Sequence, residues 1–109
     1  MQVIVQTKTL PVTQALRAFV ERQSQKLTKL GLKINKIVVY LENVARKTSD
    51  PHRSEVRYRV EIPGKDVVVE KKGNDLYAVI SDASLRVARQ LGKLKERHLH
   101  AQRQSLPKE

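Results

Sequence analysis

The chain has no cysteine and no tryptophan, and its aromatic side chains are one phenylalanine and three tyrosines in 109 residues. Absence of cysteine excludes disulfides and thiolate-held metals, and it fits a reducing compartment. The shortage of rings argues against a stacking platform for single-stranded nucleic acid. It also argues against an interfacial membrane helix, whose apolar face is rich in Trp and Phe. No apolar run is long enough to span a bilayer, and the N-terminus lacks the charged-then-apolar order of a signal peptide. A cytoplasmic protein without a membrane partner is expected. Acidic residues are scarce too, 11 against 22 Lys and Arg, which leaves a formal net charge of +11 and a pI near 10.3. Such an excess is uninformative about fold but points to a nucleic-acid partner.

The groups that catalysis needs are also missing. Glu55 and Glu61 alternate with basic residues on one strand and read as solvated rather than as an acid–base pair. Asp75 suits a helix cap, and Asp82 suits an i,i+4 partner for Arg86. His98 and His100 are two residues apart, so a helix would point them away from each other and they make a poor metal pair. Ser24 and Ser84 have no neighbouring histidine in sequence, and Gly73 stands alone rather than in a phosphate-binding loop. The sequence therefore predicts no enzyme, no cofactor and no small-molecule substrate.

What is present is periodicity. Gln2–Thr7 is short and rich in β-branched residues, a strand with Val3 and Val5 on one face. Leu10-Pro11 ends it. Thr13 caps a helix whose apolar face is Leu16, Phe19, Val20, Leu27 and Leu30, interrupted by Gln23 and Ser24 and stopped by Gly31 at the C′ position. Ile34–Glu42 alternates as a strand. Asn43–Arg53 is polar, contains Asp50-Pro51, and reads as a solvated loop carrying Arg46-Lys47. In Glu55–Ile62 the apolar residues Val56, Tyr58, Val60 and Ile62 alternate with charged ones, the pattern of a half-buried strand. Pro63-Gly64 then turns the chain into Asp66–Glu70. Pairing 62 with 65 puts Val60 opposite Val67, Tyr58 opposite Val69 and Arg57 opposite Glu70. L-Pro-Gly is a poor fit to the primed turns of tight hairpins, so a looser turn is expected.

The last helix follows Gly73-Asn74-Asp75, where Asn74 or Asp75 caps it. Its buried face is Leu76, Ile80, Ala83, Val87, Leu91 and Leu94. Periodicity fades from His98 on, so residues 98–109 are expected to fray as a tail to a single domain of residues 1–97. The order β-α-β-β-β-α predicts an α+β fold. Its first three elements form a βαβ unit with parallel strands, its last strands form a meander, and both helices cover one face of a four-stranded sheet.

Each helix also carries a basic stripe at spacings of three and four. Arg22, Lys26 and Lys29 mark the first; Arg86, Arg89, Lys93 and Arg97 mark the second. At about 100° per residue each stripe lies roughly 110–120° round the helix from the buried face. Whether the two merge depends on which flanks meet. With few rings for stacking, backbone and shape recognition of structured RNA suits such surfaces.

Several stretches resemble the ribosome hibernation promoting factor family, also known as ribosome-associated inhibitor or subunit-interface protein. They are Val12-Thr-Gln-Ala-Leu-Arg-Ala-Phe-Val20, Lys26-Leu27, Asn74-Asp-Leu-Tyr-Ala-Val-Ile80 and Ala88-Arg-Gln-Leu-Gly-Lys93. The similarity runs in order from about residue 2 to 97. It implies a fold like a double-stranded-RNA-binding domain with an added first strand. It further implies binding to the small ribosomal subunit and its ribosomal RNA, in the channel where messenger and transfer RNA lie, and silencing of translation under stress or in stationary phase. By resemblance, Lys26, Arg89, Lys93 and Lys95 fall at basic positions of the RNA-facing helices. Arg22, Lys29, Arg86 and Arg97 join them from the stripes alone. The long form's C-terminal dimerisation domain is missing from the sequence, which is the pattern of a short form. Short forms either assist ribosome dimerisation through a separate modulation factor or hold single ribosomes inactive; the short, non-acidic tail favours the first. Ser24 and Ser84 depart from the apolar residues usual at their positions, and Gly92 interrupts the last helix. The alternative reading is a generic module for structured or double-stranded RNA.

Overall fold

Six elements follow in the expected order: β1 (Gln2–Thr7), α1 (Gln14–Thr28), β2 (Lys36–Asn43), β3 (Ser54–Ile62), β4 (Lys65–Gly73) and α2 (Leu76–Ser105). The computed structural model describes residues 2–8, 11–43 and 53–105, with side chains as far as Arg97. Leu10, most of the Asn43–Arg53 loop including Arg46, Lys47 and His52, and the side chains of His98 and His100 lie outside the described residues.

The strands lie side by side as β1-β2-β3-β4. β1 and β2 are parallel, as a βαβ unit requires, and the other pairs are antiparallel. The β3–β4 register is the one the alternation dictates: Ile62 faces Lys65, Val60 faces Val67, Tyr58 faces Val69 and Arg57 faces Glu70. A slip by one would have sent every valine to the solvent face. The turn between them differs from expectation. It is a tight two-residue connection, and Gly64 at φ +78° allows it. Proline at i+1 with a left-handed glycine at i+2 is the type II pattern, so a primed turn is not needed here.

One face of the sheet is apolar, and both helices pack on it. Ile37, Val39 and Leu41 of β2, Val56, Tyr58 and Val60 of β3, and Val67 and Val69 of β4 are buried beneath Leu16, Val20 and Leu27 of α1 and Ile80, Ala83, Val87 and Leu91 of α2. α1 lies over the β1 side and α2 over β3 and β4. Val79 joins this core although the apolar spacing did not single it out. Its methyl lies 2.6 Å from where a Cβ on Gly73 would be, closer than side-chain contacts allow, so glycine lets α2 start this close to the end of β4.

Local chemistry sets the helix ends. Thr13 Oγ1 accepts from the Leu16 amide at 3.1 Å, and the Thr13 carbonyl accepts from Arg17 at 2.9 Å. Asp75 rather than Asn74 caps α2, its Oδ1 accepting from the Tyr77 amide at 3.2 Å. α1 ends earlier than its apolar pattern, at Thr28 with Lys29 as cap. The chain then tightens through Lys29→Lys26 and Leu30→Leu27 bonds, and Gly31 at φ +81° turns it away. α2 in contrast runs past residue 97 to Ser105, where a frayed tail was expected. A helix of 30 residues is about 45 Å long, whereas a nine-residue strand reaches only about 30 Å. Loss of apolar spacing at His98 thus marks where the sheet stops beneath the helix, not where the helix stops.

The two serines that interrupt the apolar faces meet over one residue. Tyr58 is among the largest fully buried side chains, and Ser24 and Ser84 are buried beside its hydroxyl, 0% and 4% exposed. Ser24 Oγ donates to the Val20 carbonyl at 2.8 Å, and Ser84 Oγ donates across the helix–helix seam to the Gln23 carbonyl at 3.4 Å. The Tyr58 hydroxyl makes no well-formed hydrogen bond, although both serine hydroxyls lie close enough to interact with it. Burial raises its pKa from 10.0 to about 12, while the neighbouring serines pull slightly the other way.

Removing this unpaired hydroxyl should stabilise the fold. Tyr58→Phe is expected to raise the unfolding free energy by about 1 kcal/mol in urea titration, since a buried unpaired polar group costs about 1–3 kcal/mol. A destabilised variant would mean that the hydroxyl is bonded within the seam. The raised pKa sets a second outcome. Stability is fully present below pH 10 and falls as pH rises from about 10 to about 12, because the unfolded chain releases the phenolic proton first. Tyr58→Phe should lose that part of the alkaline decline, and an unchanged alkaline profile would reject it.

Candidate nucleic-acid interface

The solvent face of the sheet and the outside of the helical layer carry cations under opposite conditions. On the sheet face, cross-strand carboxylates compensate three of the four basic side chains, all but Arg59, which faces Val38 and Val68. Lys36 pairs with Glu61 at 3.1 Å, Arg57 with Glu70 at 2.6 Å and Lys72 with Glu55 at 3.9 Å. Such exposed pairs add little stability, but they neutralise the field locally. A shallow pocket on this face is floored by Ile4, Val38 and Tyr40 and rimmed by Lys36, Arg57 and Arg59. Tyr40 donates to Glu42 Oε2 at 3.1 Å; desolvation first and that carboxylate second hold its pKa above the ordinary value.

The helical cations have no such compensation. Arg22, Lys26, Lys29, Arg86, Arg89, Lys93 and Arg97 are all exposed, and Lys95 is half-buried. Among the described residues none of these eight forms an ion pair. The expected Asp82–Arg86 pair does not form either.

Helix rotation decides where these charges point. Phe19 of α1 and Tyr77 of α2 meet edge to face with centroids 5.0 Å apart, and Ser84 reaches the Gln23 carbonyl. Those contacts mark the flank each helix turns to the other. At about 100° per residue, Lys26 stands two turns beyond Phe19 on the seam-facing flank of α1, with Arg22 and Lys29 just outside it. On α2, by contrast, Arg86, Arg89, Lys93 and Arg97 lie about half a turn from Tyr77 and Ser84. They look away from the seam, over the edge strand β4.

The two stripes therefore do not merge, because the body of α2 separates them. Lys95 parts from its own helix's stripe. Its ammonium lies 3.0 Å from where a Cβ on Gly31 would be, so it sits by the end of α1 with that helix's cations. The ridge of α2 between the groups is small and partly apolar, with Leu85 53% exposed and Gly92 beside open space.

One basic residue escaped the sequence reading. Lys71 lines a groove of about 350 Å³ between α2 and β4 together with Asp82, Leu85, Arg86, Arg89, Gln90 and Lys93. The signal was available. Val67 and Val69 alternate onto the core face of β4, and the same alternation puts Lys71 there, at the end of an outer strand. A lysine at such a position reaches water only by extending past the helix that covers the strand. No described helix is long and apolar enough to cross a membrane. Among the described residues no cluster of His, Cys, Asp and Glu is placed to hold a metal.

A family described as sigma 54 modulation protein / S30EA ribosomal protein matches residues 3–99. The chain is 28% identical to the ribosome hibernation promoting factor of Azotobacter vinelandii over 107 residues, which is 98% of this chain and 94% of that protein. It is also 28% identical over 100 residues to the ribosome hibernation promotion factor of Deinococcus radiodurans, where it spans 92% of its own length and only 52% of the relative's. Among solved structures, the N-terminal domain of Thermus thermophilus Protein Y superposes with a TM-score of 0.70 at 26% identity, covering 85% of this chain and 94% of that one. A ribosomal subunit interface protein from Coxiella burnetii, 18% identical, shares the fold with a TM-score of 0.69 over 88% of this chain and 99% of its own.

Gly92 offers a check on the bare ridge. A Cβ added there meets nothing within 4 Å, and the backbone is ordinary helix. Gly92→Ala should therefore raise stability by about 1 kcal/mol in urea unfolding. A loss of stability would show that the ridge is packed against part of the chain.

Proposed function

Because the chain belongs to the sigma 54 modulation protein / S30EA ribosomal protein family, we propose that it is a ribosome-binding silencer of translation. In this reading it docks on the small ribosomal subunit through its helical layer, occupies the channel used by messenger and transfer RNA, and holds ribosomes inactive during stress or stationary phase. The observation that carries it is the contrast between the two faces. Three of the four sheet-face cations are answered by Glu55, Glu61 and Glu70, leaving Arg59 alone, while Arg22, Lys26, Lys29, Arg86, Arg89, Lys93, Lys95 and Arg97 are all left free for an external anion. The ribosomal RNA backbone is the partner that suits extended, unpaired cations with little aromatic surface beside them. The relatives' names support the ribosome as the RNA in question. A cytoplasmic location follows from that partner, and a separate modulation factor is a candidate second partner.

The protein should inhibit cell-free translation in proportion to ribosomes and leave the RNA chemically intact. Cleaved or modified ribosomal RNA at protein far below ribosome concentration would overturn a purely binding role. Co-sedimentation with ribosomes should weaken steeply with salt, on the order of a thousandfold between 50 and 200 mM for roughly six phosphate contacts. Equal affinity for any RNA duplex of similar size would favour a generic RNA-binding module instead.

Charge reversal separates the two faces. Lys26→Glu, Arg89→Glu and Lys93→Glu together should abolish ribosome binding with the fold kept, since exposed substitutions cost little stability. Arg57→Glu with Arg59→Glu should leave binding in place at moderate salt, where screening acts within about 10 Å. Equal loss in both, with folding confirmed by circular dichroism, would assign binding to bulk charge.

A further inference from the structure

We infer that the helical layer carries two separate phosphate-binding tracks and grips two RNA backbone segments at once, with Lys71 as the strand-borne member of the outer track. This inference rests on the proposed ribosome-binding role and specifies how the RNA is held. The outer track is the α2–β4 groove, where Lys71, Arg86, Arg89 and Lys93 face a single carboxylate, Asp82. None of the four cations is paired with that carboxylate, so the groove keeps its positive field. The inner track follows the helix–helix seam, where Lys26 lies on the flank marked by Phe19 and Lys95 comes over from α2 to Gly31.

Between the tracks stands α2, a cylinder about 10–12 Å across with its side chains. One continuous backbone following either track would have to climb over the exposed Leu85 ridge to reach the other. Two strands of a folded RNA, or two segments brought together by its tertiary structure, meet both tracks without that crossing. A phosphodiester backbone is the ligand class for each, because both offer separated point charges and guanidinium forks without an aromatic surface to seat a base.

Because the chain has no cysteine, single-site tethering reads this directly. Gln90→Cys places a tethered iron–EDTA probe in the outer groove, and Gln25→Cys places one on the exposed face of α1 beside Lys29. With the full-length protein bound to ribosomes, hydroxyl radicals from the two sites should cut two non-overlapping sets of ribosomal RNA nucleotides. In parallel, Lys71→Gln should weaken ribosome binding and lower the slope of log affinity against log salt by about one, the loss of one phosphate contact. Coincident cleavage sets, cleavage from one site alone, or an unchanged slope for Lys71→Gln would overturn the two-track arrangement while leaving ribosome binding standing. Failure of the unsubstituted protein to co-sediment would remove the ribosome reading and this inference together.

Discussion

Phe19 and Tyr77 meet edge to face at 5.0 Å directly above a sheet whose bulkiest buried residue is Tyr58. The buried faces of α1 and α2 fix the rotation of each helix about its own axis, this ring contact marks the flank that each turns to the other, and together they set the direction in which every helical cation points. Tyr58 takes the volume that apolar residues at 24 and 84 would otherwise fill. Two serines, small and buried, let both helices come down onto the sheet beside its ring. The substitutions that look like gaps in the apolar pattern are thus the complement of one large side chain in the strand below. Close packing makes the match necessary, because interiors tolerate neither a void nor an extra methylene without cost.

From the same constraint follows the division of labour between the faces. A sheet with a single apolar face must place both helices on one side, which leaves the opposite face open to water. There, antiparallel register sets Arg57 against Glu70 and Lys72 against Glu55, while Lys36 faces Glu61 across β2 and β3. Charge on the open face is largely cancelled by its own strands. Helices have no cross-strand partners, and although Asp82 and Glu96 stand at helical spacing from Arg86 and Lys93, neither forms an ion pair with them. The helical layer therefore carries the larger share of the formal net charge of +11.

Strand register was legible in the sequence because several residues agreed on it independently. Val60 with Val67, Tyr58 with Val69, and Arg57 with Glu70 are all satisfied by one alignment. The Pro63-Gly64 turn was misread because a hairpin preference for primed turns was applied where the proline–glycine order already specifies a type II turn. The end of α2 was misread because apolar spacing records what lies beneath a helix and not the helix itself. Helix faces were legible, and so were the basic stripes, since both follow from spacing alone. How the stripes sit relative to each other was not. That depends on which flank of each helix meets the other, and Tyr58, Ser24, Ser84 and Phe19 settle it through volume and contact. Lys71 was passed over because the strand was read as ending at Glu70, so its alternation was not carried on to 71, whereas β4 runs to Gly73.

Neither stripe contributes to holding the fold together, and both oppose it slightly. Arg86 and Arg89, Arg89 and Lys93, and Lys93 and Arg97 are like-charged neighbours at spacings of three and four, each pair unfavourable by a few tenths of a kcal/mol. Gly92 adds a further cost near 1 kcal/mol relative to alanine, with no close packing and no unusual backbone angle to require it. A helix selected for stability alone would place carboxylates at some of these positions and alanine at 92. α2 instead keeps its repulsion on the surface, where an external anion relieves it. The free energy withheld from the isolated fold then reappears as affinity for a polyanion, lost again as salt screens the charges. Tyr58 and its serines make this tolerable from below, since they seat α2 on the core without calling on any charged residue.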